Sequence, residues 1–119
     1  MMHDSPKRAV RCVRLATEDA PALSSLESRC FALPWTEQAF AEAFAGKTFH
    51  AFGIRETASP LSPRELAGYI AVYHTPDEVE ILNIAVREDR RRHGYGRLLM
   101  ATALQDAKET GILQGVLEV

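Results

Sequence analysis

The chain has 119 residues, of which 46% are hydrophobic and 25% charged, and its formal net charge is −2. This length gives room for one domain with a modest core, so we treat residues 1–119 as a single domain. The slight acidic balance argues against nucleic acid or a membrane as partner, since surfaces that bind them normally carry a net basic field. No run approaches a transmembrane helix and residues 1–10 lack the apolar centre of a signal peptide, which predicts a cytoplasmic protein.

The cysteines and histidines predict neither a disulfide framework nor a metal site. The chain has two cysteines, Cys12 and Cys30, without the spacing of metal ligands, and we expect both to be packed thiols. The four histidines are scattered along the sequence and suggest no shared metal.

The first half of the chain predicts a short strand followed by two helices. Residues 10–15 alternate as a strand does, and the next helix has Pro21 in its first turn, where a missing N–H costs little. The Leu-Pro-Trp segment at 33–35 breaks this helix. Thr36 then caps a second helix that ends at Gly46.

Three strands are predicted next, at residues 49–55, 66–73 and 80–86. A loop rich in proline and serine at 58–63 separates the first two, and a turn at 74–77 leads into the third. The third strand is followed by a basic loop, a helix and a last strand. The order is therefore β-α-α-β-β-β-α-β, a mixed α/β fold with a right-handed crossover through the last helix.

The basic loop at 87–97 and the helix predicted at 98–110 form the most informative stretch. The helix carries an apolar stripe and is followed by Gly111 at the position typical of a C′ glycine. The stripe consists of Leu99, Met100, Ala103, Leu104 and Ala107. Gly94 and Gly96 allow the backbone to turn tightly and to approach a ligand.

These features together predict a site for phosphate groups. Free N–H groups at a helix start bind anions, and Arg91, Arg92 and Arg97 add positive charge beside them. The pattern is not the dinucleotide fingerprint, whose third glycine position is Leu99, nor a P-loop, whose upstream glycine position is Ala41. A solvated charge run leading into a helix cap is the alternative interpretation of the arginines.

The sequence also resembles a known family. Residues 91–96, Arg-Arg-His-Gly-Tyr-Gly, fit the Q/R-x-x-G-x-G/A acetyl-coenzyme A loop of the GCN5-related N-acetyltransferase (GNAT) superfamily. Three further segments are similar to the RimI-type branch: Asn-Ile-Ala-Val at 83–86, Leu-Glu-Val at 117–119 and Phe-Ala-Leu-Pro-Trp at 31–35. That branch acetylates protein N-terminal α-amines, typically that of a ribosomal protein.

The resemblance implies acetyl-coenzyme A as co-substrate, with no metal, and a protein N-terminus as acceptor. In the family the strand backbone pairs with the pantetheine arm and the loop holds the pyrophosphate. The implied donor-binding residues are Ile84, Ala85, Val86, Arg91, Arg92, His93, Gly94, Tyr95, Gly96 and Arg97. Glu118 matches the family's general base, and Glu80 is the second candidate. The loop around Trp35 would border the acceptor, although a tryptophan between helices is more often core.

The resemblance also implies a departure from the family pattern. In the family the Leu-Glu-Val strand continues into an asparagine turn, a helix with the tyrosine that acts as general acid, and two more strands. We expect the fold here to lack that C-terminal helix and those strands, which leaves turnover by this chain open. Either another chain supplies the missing part, making an oligomer, or the chain is a non-catalytic acetyl-coenzyme A-binding remnant.

Two alternatives concern the acceptor and the partner. The same fold and donor could serve a small-molecule amine or a lysine. A nucleic-acid binder using residues 87–97 is the weakest hypothesis, because the chain as a whole is acidic.

Overall fold

The computed structural model describes residues 9–111 and 114–117 of the chain, the last four by their backbone. It confirms the predicted order of elements. These are β1 (Ala9–Arg14), α1 (Ala20–Cys30), α2 (Glu37–Ala45), β2 (Phe49–Thr57), β3 (Gly68–His74), β4 (Glu78–Val86), α3 (Tyr95–Glu109) and β5 (Gln114–Leu117). Single 3-10 turns precede α1 at Thr17–Asp19 and α3 at Glu88–Arg90.

The described strands form one sheet of five, in the order β1-β2-β3-β4-β5. The first four pair antiparallel, and β5 pairs parallel to β4. A parallel neighbour needs a crossover connection, and α3 provides it. The described β4–β5 pairing extends from Glu78 to Ile81 of β4. Within the described residues, the second half of β4 therefore has no partner on this edge.

A β-bulge interrupts the pairing of β4 with β3. The register shifts at Leu82, which is an extra residue in β4. Leu82 packs against the cluster beneath α1 and α2, and the next residue, Asn83, donates to Glu27 of α1. An inserted residue lets two successive side chains lie on the same side before alternation resumes. The bulge thus directs Asn83 towards α1.

Helices cover both faces of the sheet, so the core has two halves. On one face α3 contributes Tyr95, Leu99, Ala103 and Ala107 to a cluster with strand residues from β2, β3 and β4. The other face packs against α1 and α2, through buried side chains that include Leu23, Leu26, Phe40 and Tyr69. This arrangement leaves the C-terminal end of β4 and the start of α3 side by side, where the basic loop connects them.

Two details of the sequence prediction were wrong. The last helix begins at Tyr95 rather than at Leu98, because Gly94 adopts a left-handed conformation (φ 80°) and ends the loop there. Leu104 does not belong to the buried stripe and is 42% exposed. Tyr95, Leu99, Ala103 and Ala107 repeat at intervals of four and define the buried face instead.

Candidate functional site

The loop between β4 and α3 has the geometry of an anion site. Gly94 is the N-cap of α3, and no side chain caps the first turn of the helix. The first N–H groups of a helix lack intrahelical acceptors, and the helix dipole adds partial positive charge there. A Cβ built on Gly94 or on Gly96 would meet nothing within 4 Å, so the space over both glycines is open.

Arginine side chains surround this space. Arg91, Arg92 and Arg97 are exposed, and the Nε of Arg91 donates to the carbonyl oxygen of Val86 at 3.2 Å. A cavity of about 380 Å³ opens here. Its lining comprises Val86, Arg90, Arg91, Arg92, Gly94, Tyr95, Gly96 and Arg97. Helix N–H groups beside guanidinium groups suit a phosphate or pyrophosphate.

Two side chains of the loop turn away from this space. Tyr95 is 6% exposed, and its hydroxyl donates to the Glu56 carboxylate. The Nδ1 of His93 lies 3.1 Å and 2.9 Å from the carbonyl oxygens of Arg90 and Arg91. Because a carbonyl oxygen only accepts, Nδ1 must act as the donor. The buried Tyr95 ring leaves its backbone as the part of that residue next to the cavity.

A buried carboxylate holds the loop from below. Glu56, near the end of β2, is 2% exposed and accepts hydrogen bonds from the Nε of Arg90 (2.9 Å), the hydroxyl of Tyr95 and the hydroxyl of Ser59 (2.6 Å). Burial alone would raise the pKa of Glu56, but hydrogen bonds from Arg90, Ser59 and Tyr95 outweigh it and keep the pKa below its ordinary value.

Glu56 was not among the predicted site residues. A glutamate at the end of a strand ordinarily faces solvent, and the loop at 58–63 was predicted only as a connection between two strands. In the structure this loop folds back, since Leu61 is buried in the core and Ser59 bonds to Glu56. The only sequence signal that this loop packs against the core was Leu61, a large apolar residue among serines and prolines.

The end of β4 lies next to the loop. The N–H of Ile84 donates to the side-chain oxygen of Asn83 at 3.0 Å. The carbonyl oxygen of Val86 accepts from Arg91 and, at 3.7 Å, from the thiol of the half-buried Cys30. The backbone at 84–86 thus adjoins the basic loop on the part of the strand that extends beyond the described β5 pairing.

A second buried glutamate lies on the other side of β4. Glu27 of α1 is 1% exposed. Its carboxylate accepts from the backbone N–H of Trp35 (2.9 Å), the hydroxyl of Tyr69 (2.5 Å) and the amide of Asn83 (3.1 Å). Burial, followed by the bond to this carboxylate, raises the pKa of Tyr69. Glu27 therefore connects the segment after α1 to the central strand, a role that no local pattern in the sequence indicates.

A family model provides the decisive comparison. The model of the acetyltransferase (GNAT) family matches residues 20–119. The chain belongs to this family. The resemblance to the GNAT superfamily drawn from residues 91–96 is thus confirmed.

Individual relatives point to one branch of the GNAT family. The chain is 30% identical to the ribosomal protein bS18-alanine N-acetyltransferase of Escherichia coli over 105 residues, which cover 88% of this chain and 66% of that protein. A putative ribosomal protein bS18-alanine N-acetyltransferase of Bacillus subtilis is 29% identical over 113 residues, 95% of this chain and 70% of that one. The chain thus spans about two thirds of the length of these relatives.

Solved structures agree on the fold. The crystal structure of the ribosomal-protein-S18-alanine N-acetyltransferase from Escherichia coli superposes with a TM-score of 0.78 at 29% identity, covering 93% of this chain and 67% of that one. An aminoglycoside N-acetyltransferase, AAC(6')-Iy in complex with CoA, has a TM-score of 0.78 at 11% identity, covering 98% and 81%. The latter likeness concerns the GNAT fold alone.

The predicted acid–base residues of this GNAT domain are only partly covered. Glu118 lies outside the described residues. Glu80 is half-buried on β4, opposite Tyr73 of β3, and lines a cavity of about 390 Å³ with Tyr73 and His74. Trp35 is 40% exposed, and its ring stacks on that of Phe49 and contacts that of Phe40 at a tilt.

Two features are absent from the part of the chain that the structure describes, a cluster of metal ligands and a membrane-spanning helix. Its His, Cys, Asp and Glu side chains form no group of three or more that could hold a metal ion. None of its helices combines the length and apolar character that crossing a bilayer requires.

Proposed function

We propose that this chain binds acetyl-coenzyme A and transfers the acetyl group to the N-terminal α-amine of a protein. The observation that carries the proposal is the open, arginine-rich space over Gly94 and Gly96 at the start of α3 in a GNAT domain. Backbone N–H groups of residues 94–97, with Arg91, Arg92 and Arg97, would bind the pyrophosphate. His93 would order the loop through its Nδ1.

The end of β4 would bind the rest of the donor. The backbone at Ile84, Ala85 and Val86 would pair with the pantetheine arm as an added strand. The N–H of Ile84 already donates to a side-chain oxygen, that of Asn83, rather than to the sheet. Rotation of Asn83 would release this N–H, which could then polarise the thioester carbonyl.

The transfer is a direct displacement. The amine nitrogen attacks the thioester carbonyl carbon, which forms the C–N bond and a tetrahedral oxyanion. When the oxyanion collapses the C–S bond breaks, and the thiolate takes up one proton, which balances the one that the amine gives to the base. Glu118 would accept the proton of the amine, with Glu80 as the alternative base. A general base of this kind contributes about 10²–10⁴ in rate.

Two arguments favour a protein α-amine as acceptor. The relatives from Escherichia coli and Bacillus subtilis carry names that specify the alanine of ribosomal protein bS18. An α-amine has a pKa near ~8 and a lysine amine a pKa near ~10.4. Deprotonation at pH 7 therefore costs roughly 1.4 kcal/mol for the α-amine and ~4.6 kcal/mol for the lysine. A single glutamate therefore suits the α-amine better.

A transfer assay with labelled acetyl-coenzyme A tests the proposal. The acceptors are a peptide with a free N-terminal alanine, the same peptide with a blocked N-terminus and one internal lysine, and a small polyamine. We expect label on the first peptide only, and its loss in Glu118→Gln but not in Glu80→Gln. Label on the lysine peptide or the polyamine would contradict the acceptor assignment. Donor binding without transfer to any acceptor would favour the non-catalytic alternative.

A further inference from the structure

Within the basic loop, the two residues that flank the segment 91–94 bond to the same buried carboxylate. Arg90, before this segment, donates its Nε to Glu56, and Tyr95, after it, donates its hydroxyl to Glu56. Between these anchors lie residues 91–94, which border the anion site. One side chain on β2 thus fixes the span of a segment that is distant from it in sequence.

The backbone between the anchors includes one strained residue. Arg92 has a φ of 68°, next but one to Gly94 with a φ of 80°. A left-handed conformation is unfavourable for a residue with a Cβ, and it persists where the surroundings over-determine it. Arg92 itself is exposed, so contacts of its side chain with the core do not impose this conformation. The anchors at the two ends of the segment, together with the bonds of Arg91 and His93 within it, hold it in place.

From this geometry we infer that Glu56 is a positioning residue for the donor: by holding Arg90 and Tyr95 it pre-organises residues 91–94 for the diphosphate of coenzyme A. The inference rests on the proposed function for its ligand. A loop that is already ordered loses less conformational entropy on binding, so its affinity is higher. Glu56 bonds to the loop on the side facing the core, is not part of the cavity lining, and would not itself contact the ligand.

The charge balance is consistent with this role. A buried carboxylate close to an anion site would repel phosphate unless it were neutralised. The guanidinium group of Arg90 is buried beside Glu56 and neutralises it. Arg91, Arg92 and Arg97 remain exposed and keep their positive charge for a ligand. Glu56 therefore orders the loop through Arg90 and Tyr95 and leaves the three exposed arginines of the cavity without a bond to it.

Three substitutions separate positioning from general stability. Tyr95→Phe removes the hydroxyl that fastens the α3 end of the loop and preserves the buried ring. Ser59→Ala is the matched control, because it removes a hydrogen bond to the same carboxylate while its hydrogen bond with a loop anchor is the long one, 3.5 Å, from the Nη2 of Arg90. Glu56→Gln removes the charge and weakens both loop anchors at once.

The measurements are calorimetric titration with coenzyme A and hydrogen exchange of the amides at 91–97. We expect Tyr95→Phe to weaken coenzyme A binding by about three- to tenfold and to accelerate exchange in this segment. Glu56→Gln should weaken binding more. Ser59→Ala should lower the unfolding temperature while leaving binding and loop exchange as in the wild-type chain.

Two results would overturn the inference: wild-type affinity and loop exchange in Tyr95→Phe, or an equal loss of affinity in Ser59→Ala. If Glu56→Gln failed to fold, Tyr95→Phe and Ser59→Ala would still decide the matter. If the wild-type chain bound no coenzyme A, the proposed function would fail, whereas unchanged loop exchange in Tyr95→Phe would separately refute the positioning role of Glu56.

Discussion

Two buried glutamates lie on opposite sides of the candidate site, and their carboxylates are stabilised in different ways. Glu56, under the basic loop, is paired with the buried guanidinium group of Arg90. Glu27, under the segment after α1, is held by groups that are all neutral: the N–H of Trp35, the hydroxyl of Tyr69 and the amide of Asn83. The first arrangement depends on a counter-charge and the second on hydrogen bonds alone.

The difference matches the two halves of the proposed reaction. The donor side must attract an anion, so its supporting carboxylate is neutralised locally and the exposed arginines dominate. The acceptor side must accommodate a peptide and an amine, and Glu27 there joins the Trp35 segment to the bulge of β4 through polar bonds. Substitutions at the two sites should therefore affect different properties, and the predictions below follow from this contrast in order of expected effect.

The largest effect is expected from Arg90→Met. This change removes the guanidinium group that pairs with the buried Glu56 carboxylate, which should cost about 3 kcal/mol of unfolding free energy, the low end of the usual range for breaking a buried pair because Glu56 keeps its other partners, Tyr95 and Ser59 among them. Urea unfolding measures the loss. Arg87→Met is the control, since Arg87 pairs with the half-exposed carboxylates of Glu65 and Asp89 and should cost less than about 1 kcal/mol. Equal losses in the two variants would refute the special role of the buried pair.

An intermediate effect is expected from Glu27→Gln. The glutamine amide turns one acceptor oxygen into a donor, so one of the three bound donors is left without an acceptor. We expect a loss of about 1–2 kcal/mol in urea unfolding. Coenzyme A affinity should stay at its wild-type value, since Glu27 is not part of the lining of the cavity over Gly94 and Gly96. A weakened donor affinity in this variant would remove the distinction between the two carboxylates.

Acid titration sharpens the contrast further. The pKa of Glu56 is held below its ordinary value near 4.5, so its contribution to stability is present above that value and is lost as the pH falls through the lower folded pKa. We expect the unfolding free energy of the wild-type chain to fall more steeply below pH 4.5 than that of Glu56→Gln. Parallel curves for the two proteins would show that the Glu56 pKa is the same in the folded and unfolded states.

A smaller pH effect is expected from a pair of histidines away from the basic loop. The rings of His50 and His74 are in contact, with centroids 4.1 Å apart, and burial, chiefly, lowers the pKa of each below the ordinary 6.5. The folded state thus favours the neutral rings, and stability present above pH 6.5 should decline as the pH falls below it. His74→Phe should flatten the unfolding free energy between pH 6.5 and 5 relative to the wild-type chain. An unchanged slope would contradict this explanation.

Much of the fold could be predicted, because strand alternation, helix caps and turn residues are local signals. Thr36 caps α2 as expected, accepting from the N–H of Ala39, and Gly46 ends the helix. The loop with Gly94 and Gly96 also carried a local signal. Glu56 and Glu27 did not, because their burial depends on partners 34 and 56 residues away, such as Arg90 and Asn83. Only the packed structure brings these groups together.

The most direct test of the central claim is a calorimetric titration of coenzyme A into the wild-type chain, Gly96→Glu and Gly96→Ala. A Cβ at Gly96 would extend into the empty space over the helix start without touching the protein. A carboxylate in the first turn of a helix is favourable for the helix itself, but here it would repel a diphosphate. We predict that the wild-type chain binds coenzyme A, that Gly96→Ala, whose alanine the family motif allows, binds it similarly, and that Gly96→Glu, although folded, binds it about tenfold more weakly or worse. Absence of binding to the wild-type chain, or wild-type affinity in Gly96→Glu, would contradict the account.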